Sequence, residues 1–232
     1  MSWRFAPPWW AVLLTGFGMA ATAALSTWQL GRGAEKQALV DRLEQVRNGP
    51  AGVLNPLTPA PPPEQMQRVA VAGGFLSEPQ LLQRAPRRDQ RAGYQLWSLF
   101  RLKQGPTVIV DRGWIDSTAE VPPPPAGNQR FSGLWRSLPR AGLALRAELC
   151  DENRALISVV YPVLDDLRCL VDQPLLDGLL LLQAPDTDTL IRDWQYAGMP
   201  PERHLGYAVQ WGALCATIFL IFLLLNLKRR HD

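Results

Sequence analysis

A histidine and two aromatic residues stand at helical spacing in the stretch HLGYAVQW, residues 204–211. Offsets of three, four and seven residues place four side chains on one face of an α-helix: His204, Tyr207, Ala208 and Trp211. A neutral imidazole nitrogen can ligate haem iron, and aromatic side chains can cover the apolar faces of a porphyrin. The stretch is therefore a candidate haem site, in which His204 ligates the iron.

The same residues have a second interpretation, as an interfacial histidine within an aromatic belt. An apolar stretch without charge, residues 205–227, follows His204 directly. Near the end of a membrane helix, a histidine costs far less than the ~2.5 to 3.5 kcal/mol assigned to a charge at mid-span. The position of His204 alone gives the two interpretations equal weight.

Other catalytic motifs are missing from the sequence. Its only histidines are His204 and His231, so a Ser-His-Asp triad would have to use His204 at the membrane surface. The sequence contains no G-x-S-x-G elbow, no phosphate-binding loop, no H-E-x-x-H and no C-x-x-C-H. We therefore predict a protein that is not an enzyme and assign no catalytic residue.

Two apolar stretches set the architecture around these residues. Residues 5–31 and residues 205–227 carry no charge, and each can cross roughly 30 Å of hydrocarbon as a helix. We predict membrane helices over residues 9–30 and 204–227. The first stretch could instead be a signal peptide cleaved after residues 21–23, but it is long for one and its apolar residues continue past that site.

Small residues recur every four positions in both stretches, at Gly16, Ala20 and Ala24 and at Gly212 and Ala216. This spacing lets helix backbones approach closely. It predicts that the two helices pack on each other through these residues.

The charges indicate the topology. A cluster of basic residues, 228–230, directly follows the second helix and marks the cytoplasmic side. Residues 1–8 and 228–232 are then cytoplasmic, and residues 31–203 form an extracytoplasmic, periplasmic domain. Between residues 32 and 203 the chain has 20 basic and 20 acidic residues, a neutral balance that argues against nucleic-acid binding.

The central domain has the pattern of a β-rich fold. Strands are predicted over residues 67–75, 81–83, 94–102, 107–115, 131–135 and 178–183, with a hairpin turn at residues 104–106. A short helix is predicted over residues 35–47, and residues 163–177 are predicted to be helical or irregular, with a break at Pro174. Proline-rich segments at residues 55–63 and 121–127 are predicted loops. The fold class is therefore α+β, with two transmembrane helices flanking an antiparallel β-rich extracytoplasmic domain.

Two of the three cysteines, Cys150 and Cys169, fall in the central domain, and Cys215 lies in the second apolar stretch. A disulfide between the first two is permitted outside the cytoplasm. Their spacing fits neither a C-x-x-C redox pair nor a zinc site. Whether they pair stays open at this point.

Four motifs together resemble the Surfeit locus protein family (Shy-type). They are WQLGR at residues 28–32, residues 69–75, VIVDRGWI at residues 108–115, and residues 204–211. Members of that family are cytochrome c oxidase assembly factors with two membrane spans around one extracytoplasmic domain. The resemblance extends over the two ends and residues 67–136, whereas residues 137–201 carry little that aligns.

The resemblance implies a membrane assembly factor of the bacterial inner membrane. It would bind haem a transiently and assist its insertion into the catalytic subunit of the haem-copper oxidase, with haem a synthase as a further candidate partner. His204 would ligate the iron, Tyr207 and Trp211 would contact the ring, and Arg112 could pair with a haem propionate. Implied roles for Trp28, Gly113, Trp114 and Gln210 are less defined.

A different class of function also fits the sequence. A membrane-anchored scaffold or sensor could dock a partner protein through its extracytoplasmic domain and bind no cofactor. The neutral domain and its proline-rich loops suit that function as well.

Overall fold

The computed structural model divides the chain into two compact units. The helical unit comprises Met1–Arg42 and Tyr196–Asp232, and the β unit comprises Leu43–Gln195. The structure describes residues 3–84, 88, 90–103, 105–139, 149, 154–183, 190–194 and 198–229. Two apolar helices near the ends of the chain and a sheet between them in sequence confirm the predicted α+β class.

The elements within the described residues follow each other in a simple order. They are β1 (Trp3–Phe5), α1 (Trp9–Asn48), β2 (Gly52–Val53), a 3₁₀ turn (Pro63–Gln65), β3 (Gln67–Arg84), β4 (Gly93–Leu102), β5 (Thr107–Asp116), β6 (Asn128–Arg136), β7 (Leu156–Val159), α2 (Leu164–Arg168), β8 (Leu175–Gln183), α3 (Pro201–Asn226) and β9 (Leu227–Arg229).

Both predicted spans lie in helices long and apolar enough to cross a membrane, with mean hydropathies of 1.4 and 2.2. Helix α1 continues beyond residue 30, so the short helix predicted over residues 35–47 is its extension. Arg32 and Glu35 form an ion pair at 2.6 Å on this extension, a spacing that stabilises helices. The helix ends at Asn48, just before a Gly-Pro pair.

The two helices contact each other in the helical unit through a stripe of small residues on α1. A side chain added at Gly18 would meet Ile218 at 3.6 Å, and Ser26 Oγ donates a hydrogen bond to the carbonyl oxygen of Ala208 at 2.9 Å. A side chain added at Gly212 would lie 3.7 Å from Ser26 Oγ, which confirms the predicted contact at Gly212.

The predicted contact residues on α1 are wrong. Gly16, Ala20 and Ala24 are exposed, and a side chain added at Gly16 would meet nothing within 4 Å. The contact stripe lies two positions further along the helix, at Gly18, Thr22 and Ser26. Thr22 and Ser26 carry hydroxyl groups, but their side chains are small as well. Thr22 is buried there and donates to the carbonyl oxygen of Gly18 at 2.8 Å, so its polar group is satisfied within its own helix.

The two ends of the described chain also meet in the helical unit. Strands β1 and β9 pair antiparallel, with Phe5 opposite Leu227. The Ala6 N–H donates to the carbonyl oxygen of Asn226 at 3.3 Å. The beginning of α1 and the end of α3 are therefore joined by backbone hydrogen bonds.

The β unit contains a seven-stranded sheet, and five of its strands form a closed circuit. Strand β3 pairs with β4, β4 with β5, β5 with β8, β8 with β6, and β6 again with β3, as in a small barrel. Strands β2 and β7 pair with β3. The pairs β2–β3, β3–β7 and β5–β8 are parallel, so the sheet is mixed rather than wholly antiparallel.

The predicted strands are present, with changed lengths. Residues 67–75 and 81–83 belong to one strand, β3, whose register shifts between Phe75 and Gln80. Strands β4 and β5 form the predicted hairpin. Residues 163–177, predicted to be helical or irregular, contain the five-residue helix α2, and β8 begins at Leu175 directly after Pro174.

Side chains of the described residues form two large apolar clusters and a small third one. One cluster contains Leu81, Trp97 and Ile157, and partly buried Val46 at the end of α1 packs against it. The other large cluster contains three aromatic rings, Phe75, Phe100 and Phe131, whose centroids lie 4.9 to 5.8 Å apart. Strand β5 is buried on both faces from Thr107 to Ile115, including the charged residues Asp111 and Arg112.

The cysteines differ in state. Cys169, at the end of α2, is disulfide-bonded, whereas Cys215 in α3 is a free thiol. Cys150 lies outside the described residues.

Candidate functional site

His204 lies in the first turn of α3, and α1 determines its environment. Its side chain is only 8% exposed, although most residues around it on α3 face outward. The imidazole Nδ1 lies 2.7 Å from Oε1 of Gln29 on α1. This contact pairs the imidazole with a polar side chain of the neighbouring helix.

The partner of Nδ1 determines which ring nitrogen is available. An amide oxygen can only accept a hydrogen bond, so this contact is a hydrogen bond only in the tautomer that carries its hydrogen on Nδ1. Nε2 is then the unprotonated nitrogen with a free lone pair. Nε2 makes no hydrogen bond to any described residue and retains accessible surface. The imidazole therefore has the form that a metal ligand requires.

The aromatic residues predicted beside His204 lie on adjoining parts of the same helix. Ala208 is buried and Trp211 is partly buried, whereas Tyr207 is 43% exposed at the edge of this face. The predicted grouping of His204, Tyr207 and Trp211 on one side of α3 thus holds as a matter of helix geometry. Their contact with a cofactor stays a prediction.

A shallow apolar groove of about 240 Å³ adjoins His204 on the other side. Both helices of the helical unit line it, with Leu30, Gly33, Ala34 and Gln37 from α1 and Pro201, Glu202 and Leu205 from α3. A side chain added at Gly33 would lie 3.4 Å from the Cβ of His204. Glycine at this position lets α1 approach the histidine closely.

Arg112 lies in the β unit and is 2% exposed. Its Nη1 donates to Oε1 of Gln80 at 2.9 Å and to the carbonyl oxygen of Pro122 at 3.0 Å, and Nη2 donates to the carbonyl oxygen of Pro123 at 3.0 Å. The guanidinium thus holds the proline-rich loop against the sheet. Pairing of Arg112 with a haem propionate stays a prediction.

The neighbours of Arg112 in the VDRGW motif hold another segment. Gly113 has a φ of +135°, and a side chain there would meet the carbonyl oxygen of Ile191 at 3.0 Å. The Trp114 N–H donates to that same oxygen at 2.8 Å, and the Ile191 N–H donates back to the carbonyl oxygen of Trp114 at 3.0 Å. These contacts give both motif residues a structural role in the β unit.

Asp111 is a buried carboxyl group that the sequence did not single out. Burial raises its pKa from 3.8 to about 7, although the Gly113 N–H donates to Oδ1 at 3.1 Å and Arg136 lies nearby. Its desolvation outweighs these favourable contacts.

Trp28 and Gln210, the remaining residues of interest, are both exposed. Trp28 is 56% exposed on α1, which suits an interfacial ring. The residue that the sequence missed is Gln29, which lies next to Trp28 in WQLGR. Gln29 belongs to that motif, but its contact with His204 depends on how α1 packs against α3. The two residues are 175 positions apart in the sequence, so no local pattern indicates the contact.

Two apolar helices and a mixed sheet define an α+β protein whose helical unit carries an oriented histidine. Residues 17–216 match the sequence profile of the SURF1 family, and a match over most of the chain shows that the chain belongs to this family. The resemblance inferred from the motifs is thereby confirmed.

Curated relatives support the same assignment. They include uncharacterised SURF1-like proteins of Mycobacterium bovis and Mycobacterium tuberculosis, each 29% identical over 127 residues. The aligned region is 51% of this chain and 47% of each relative. The chain therefore spans about half the length of the curated relatives it matches.

Proposed function

We propose that this protein is a membrane assembly factor for haem-copper cytochrome c oxidase, which binds haem a through His204 and assists its insertion into the catalytic subunit. SURF1 family members are broadly known as cytochrome oxidase assembly factors, which supports the oxidase as the target. The observation that carries the cofactor assignment is the orientation of His204, with Nδ1 bonded to Gln29 and Nε2 available.

One histidine is enough for this cargo because a porphyrin supplies four nitrogen ligands itself, so the protein adds only an axial ligand. His204 would provide that ligand from the end of α3. Tyr207 and Trp211 would contact one side of the bound ring, and the groove beside Leu205 offers apolar surface on the other side of the histidine.

The protein would hold haem a and then release it to the oxidase. His204 would hold the haem through one ligand nitrogen beside an open groove, so that ligands of the oxidase could replace it. No group of the chain has to make or break a bond in the porphyrin. We therefore propose a carrier and not a catalyst, with the oxidase catalytic subunit as recipient and haem a synthase as a candidate donor.

The proposed location is the bacterial inner membrane, with both termini cytoplasmic and the β unit periplasmic. Three observations support it. The basic cluster at residues 228–230 follows α3, the pairing of β1 with β9 keeps the two ends of the chain together, and the disulfide at Cys169 suits an oxidising compartment.

The visible spectrum of the protein tests the proposed ligand. We expect protein purified in detergent from cells that make haem a to show a haem band, and the His204→Ala variant to lose it. The matched control is His231→Ala, because the chain has only these two histidines. Loss of the band in the first variant alone would assign the ligand to His204.

The alternative function, a scaffold or sensor without a cofactor, makes the opposite prediction. It requires that the wild-type protein from these cells has no haem band. An equal band in wild type and in His204→Ala would mean that haem binds elsewhere, and the ligand assignment would be wrong.

A further inference from the structure

We propose that Gln29 is a positioning residue for His204: its amide oxygen selects the imidazole tautomer and so leaves Nε2 as the free ligand nitrogen. The use of that nitrogen for haem rests on the function proposed above. The selection of the tautomer does not, and it can be tested without any cofactor.

The hydrogen bond is short and protected. Nδ1 and Oε1 are 2.7 Å apart, His204 is buried and Gln29 is partly buried between the two helices. Free histidine in water exchanges readily between its two neutral forms. A carbonyl oxygen held against Nδ1 stabilises only the form with a hydrogen on Nδ1, since the other form would set two lone pairs against each other.

The backbone of α1 restricts the histidine as well. Gly33 lies one helical turn after Gln29, and a side chain there would be 3.4 Å from the His204 Cβ. The Cβ of His204 thus lies close to the α1 backbone while Nδ1 is hydrogen-bonded to Gln29. Two contacts from one helix define both the position and the rotation of the ring.

The hydrogen bond between His204 and Gln29 is of the kind that orients histidine ligands in metal sites. A histidine ligand usually donates its second ring hydrogen to a carbonyl or carboxylate, which fixes the tautomer and raises the basicity of the ligating nitrogen. Gln29 supplies such a carbonyl from the helix opposite its histidine. Gln29 is therefore assigned the role of orienting His204, without contacting the haem itself.

Nitrogen chemical shifts of the imidazole in cofactor-free protein test the tautomer. The full chain in detergent, with His231→Asn to leave one histidine signal, is measured at pH about 8.5, roughly two units above the usual imidazole pKa. We expect the Nδ1–H form to predominate in this background. Gln29→Leu should shift the population toward Nε2–H, and Gln29→Glu, which keeps an acceptor oxygen, should restore the Nδ1–H form.

The matched control is Gln45→Leu, the same chemical change at an exposed position of the same helix. It should leave the imidazole shifts unchanged. Predominance of Nε2–H in the starting protein, or an unchanged tautomer in Gln29→Leu, would overturn the proposal. A change of the same size in Gln45→Leu would overturn it too, because the effect would then be a general response of α1.

A second measurement, haem titration, links the tautomer to the cargo. Loss of an outer-shell partner typically costs 10- to 100-fold in metal affinity, so Gln29→Leu should weaken binding by about that factor and Gln29→Glu should not. Equal affinity in all variants would show that Gln29 does not serve the cargo. Absence of haem binding in every variant, with the tautomer shift intact, would reject the proposed function and leave the positioning role standing.

Discussion

Two adjacent charged residues of the VDRGW motif, Asp111 and Arg112, show how little the residue type alone reveals. Arg112 is a candidate partner for a propionate, and its guanidinium also donates to Gln80 and to the proline-rich loop, contacts that the sequence did not indicate. Asp111 was not a candidate, yet its pKa of about 7 is far from the usual value for an aspartate. Both outcomes depend on burial, which the sequence indicates only through its apolar neighbours.

Asp111 makes the stability of the β unit pH-dependent. Its folded-state pKa is raised from 3.8 to about 7, so its contribution is fully present below pH about 4 and is lost as the pH rises toward 7. At 1.36 kcal/mol per unit, the free energy of unfolding should fall by up to roughly 4 kcal/mol across this range. Thermal unfolding of wild type and Asp111→Asn, followed between pH 4 and 8, measures this slope.

The variant Asp111→Asn should have a flatter pH dependence than wild type. Asp177→Asn is the matched control, because Asp177 is exposed on the neighbouring strand β8 and its replacement should keep the wild-type slope. An Asp111→Asn slope equal to that of wild type would assign the pH dependence to another group.

The helices and strands themselves were largely predictable, whereas their pairings were not. Apolar length gave both membrane helices, and turn residues gave the hairpin of β4 and β5. The parallel pairing of β5 with β8 and the closure of β3 with β6 join segments far apart in sequence, which no local pattern encodes. Strands buried on both faces also lack the alternation that would indicate their neighbours.

The contact face of α1 was predicted incorrectly for a related reason. Apart from the ends, nearly all residues of its membrane portion are apolar or small, so the sequence has no polar face to set the rotation of the helix. The sequence did not single out Gln29 for the same reason. Its contact with His204 can be identified only when the rotation of both helices is known. Small-residue spacing alone could not choose between two faces of the same helix.

The correct face predicts unequal effects of two glycine substitutions. Gly212→Leu should weaken the helix pair, since a larger side chain would contact Ser26 and disturb its hydrogen bond to Ala208. The expected cost is about 0.6 to 2 kcal/mol, the usual range for an interhelical hydrogen bond in a membrane. Unfolding in detergent by titration with sodium dodecyl sulfate measures it.

The control for this experiment is Gly16→Leu, where an added side chain meets nothing within 4 Å. Its unfolding midpoint should equal that of the wild type. If Gly16→Leu were the more damaging substitution, the helices would contact through the stripe of Gly16, Ala20 and Ala24 after all.

At the scale of the whole molecule, the proposed topology places the β unit and the two ends of the chain on opposite sides of the membrane. Single cysteines report this directly. Glu64→Cys, exposed in the β unit, should react with a membrane-impermeant maleimide in spheroplasts. Phe5→Cys, at the exposed last residue of β1, should react only after the membrane is broken.

The reverse labelling pattern would put the β unit in the cytoplasm and contradict the proposed periplasmic location. Labelling of both cysteines in spheroplasts would place them on the same side and contradict the proposed membrane crossing. The wild-type chain is the background control, with its free thiol at Cys215 inside α3.

The contact between Gln29 and His204 also has a consequence for synthesis of the protein. The two residues are 175 positions apart, and translation at about 5 to 20 residues per second separates their appearance by roughly 9 to 35 s. During that time α1 is without its partner helix, and the β unit is made before α3. A nascent chain stopped before α3 therefore lacks the contact between Gln29 and His204, and the proposed ligand arrangement can form only after translation has passed residue 204.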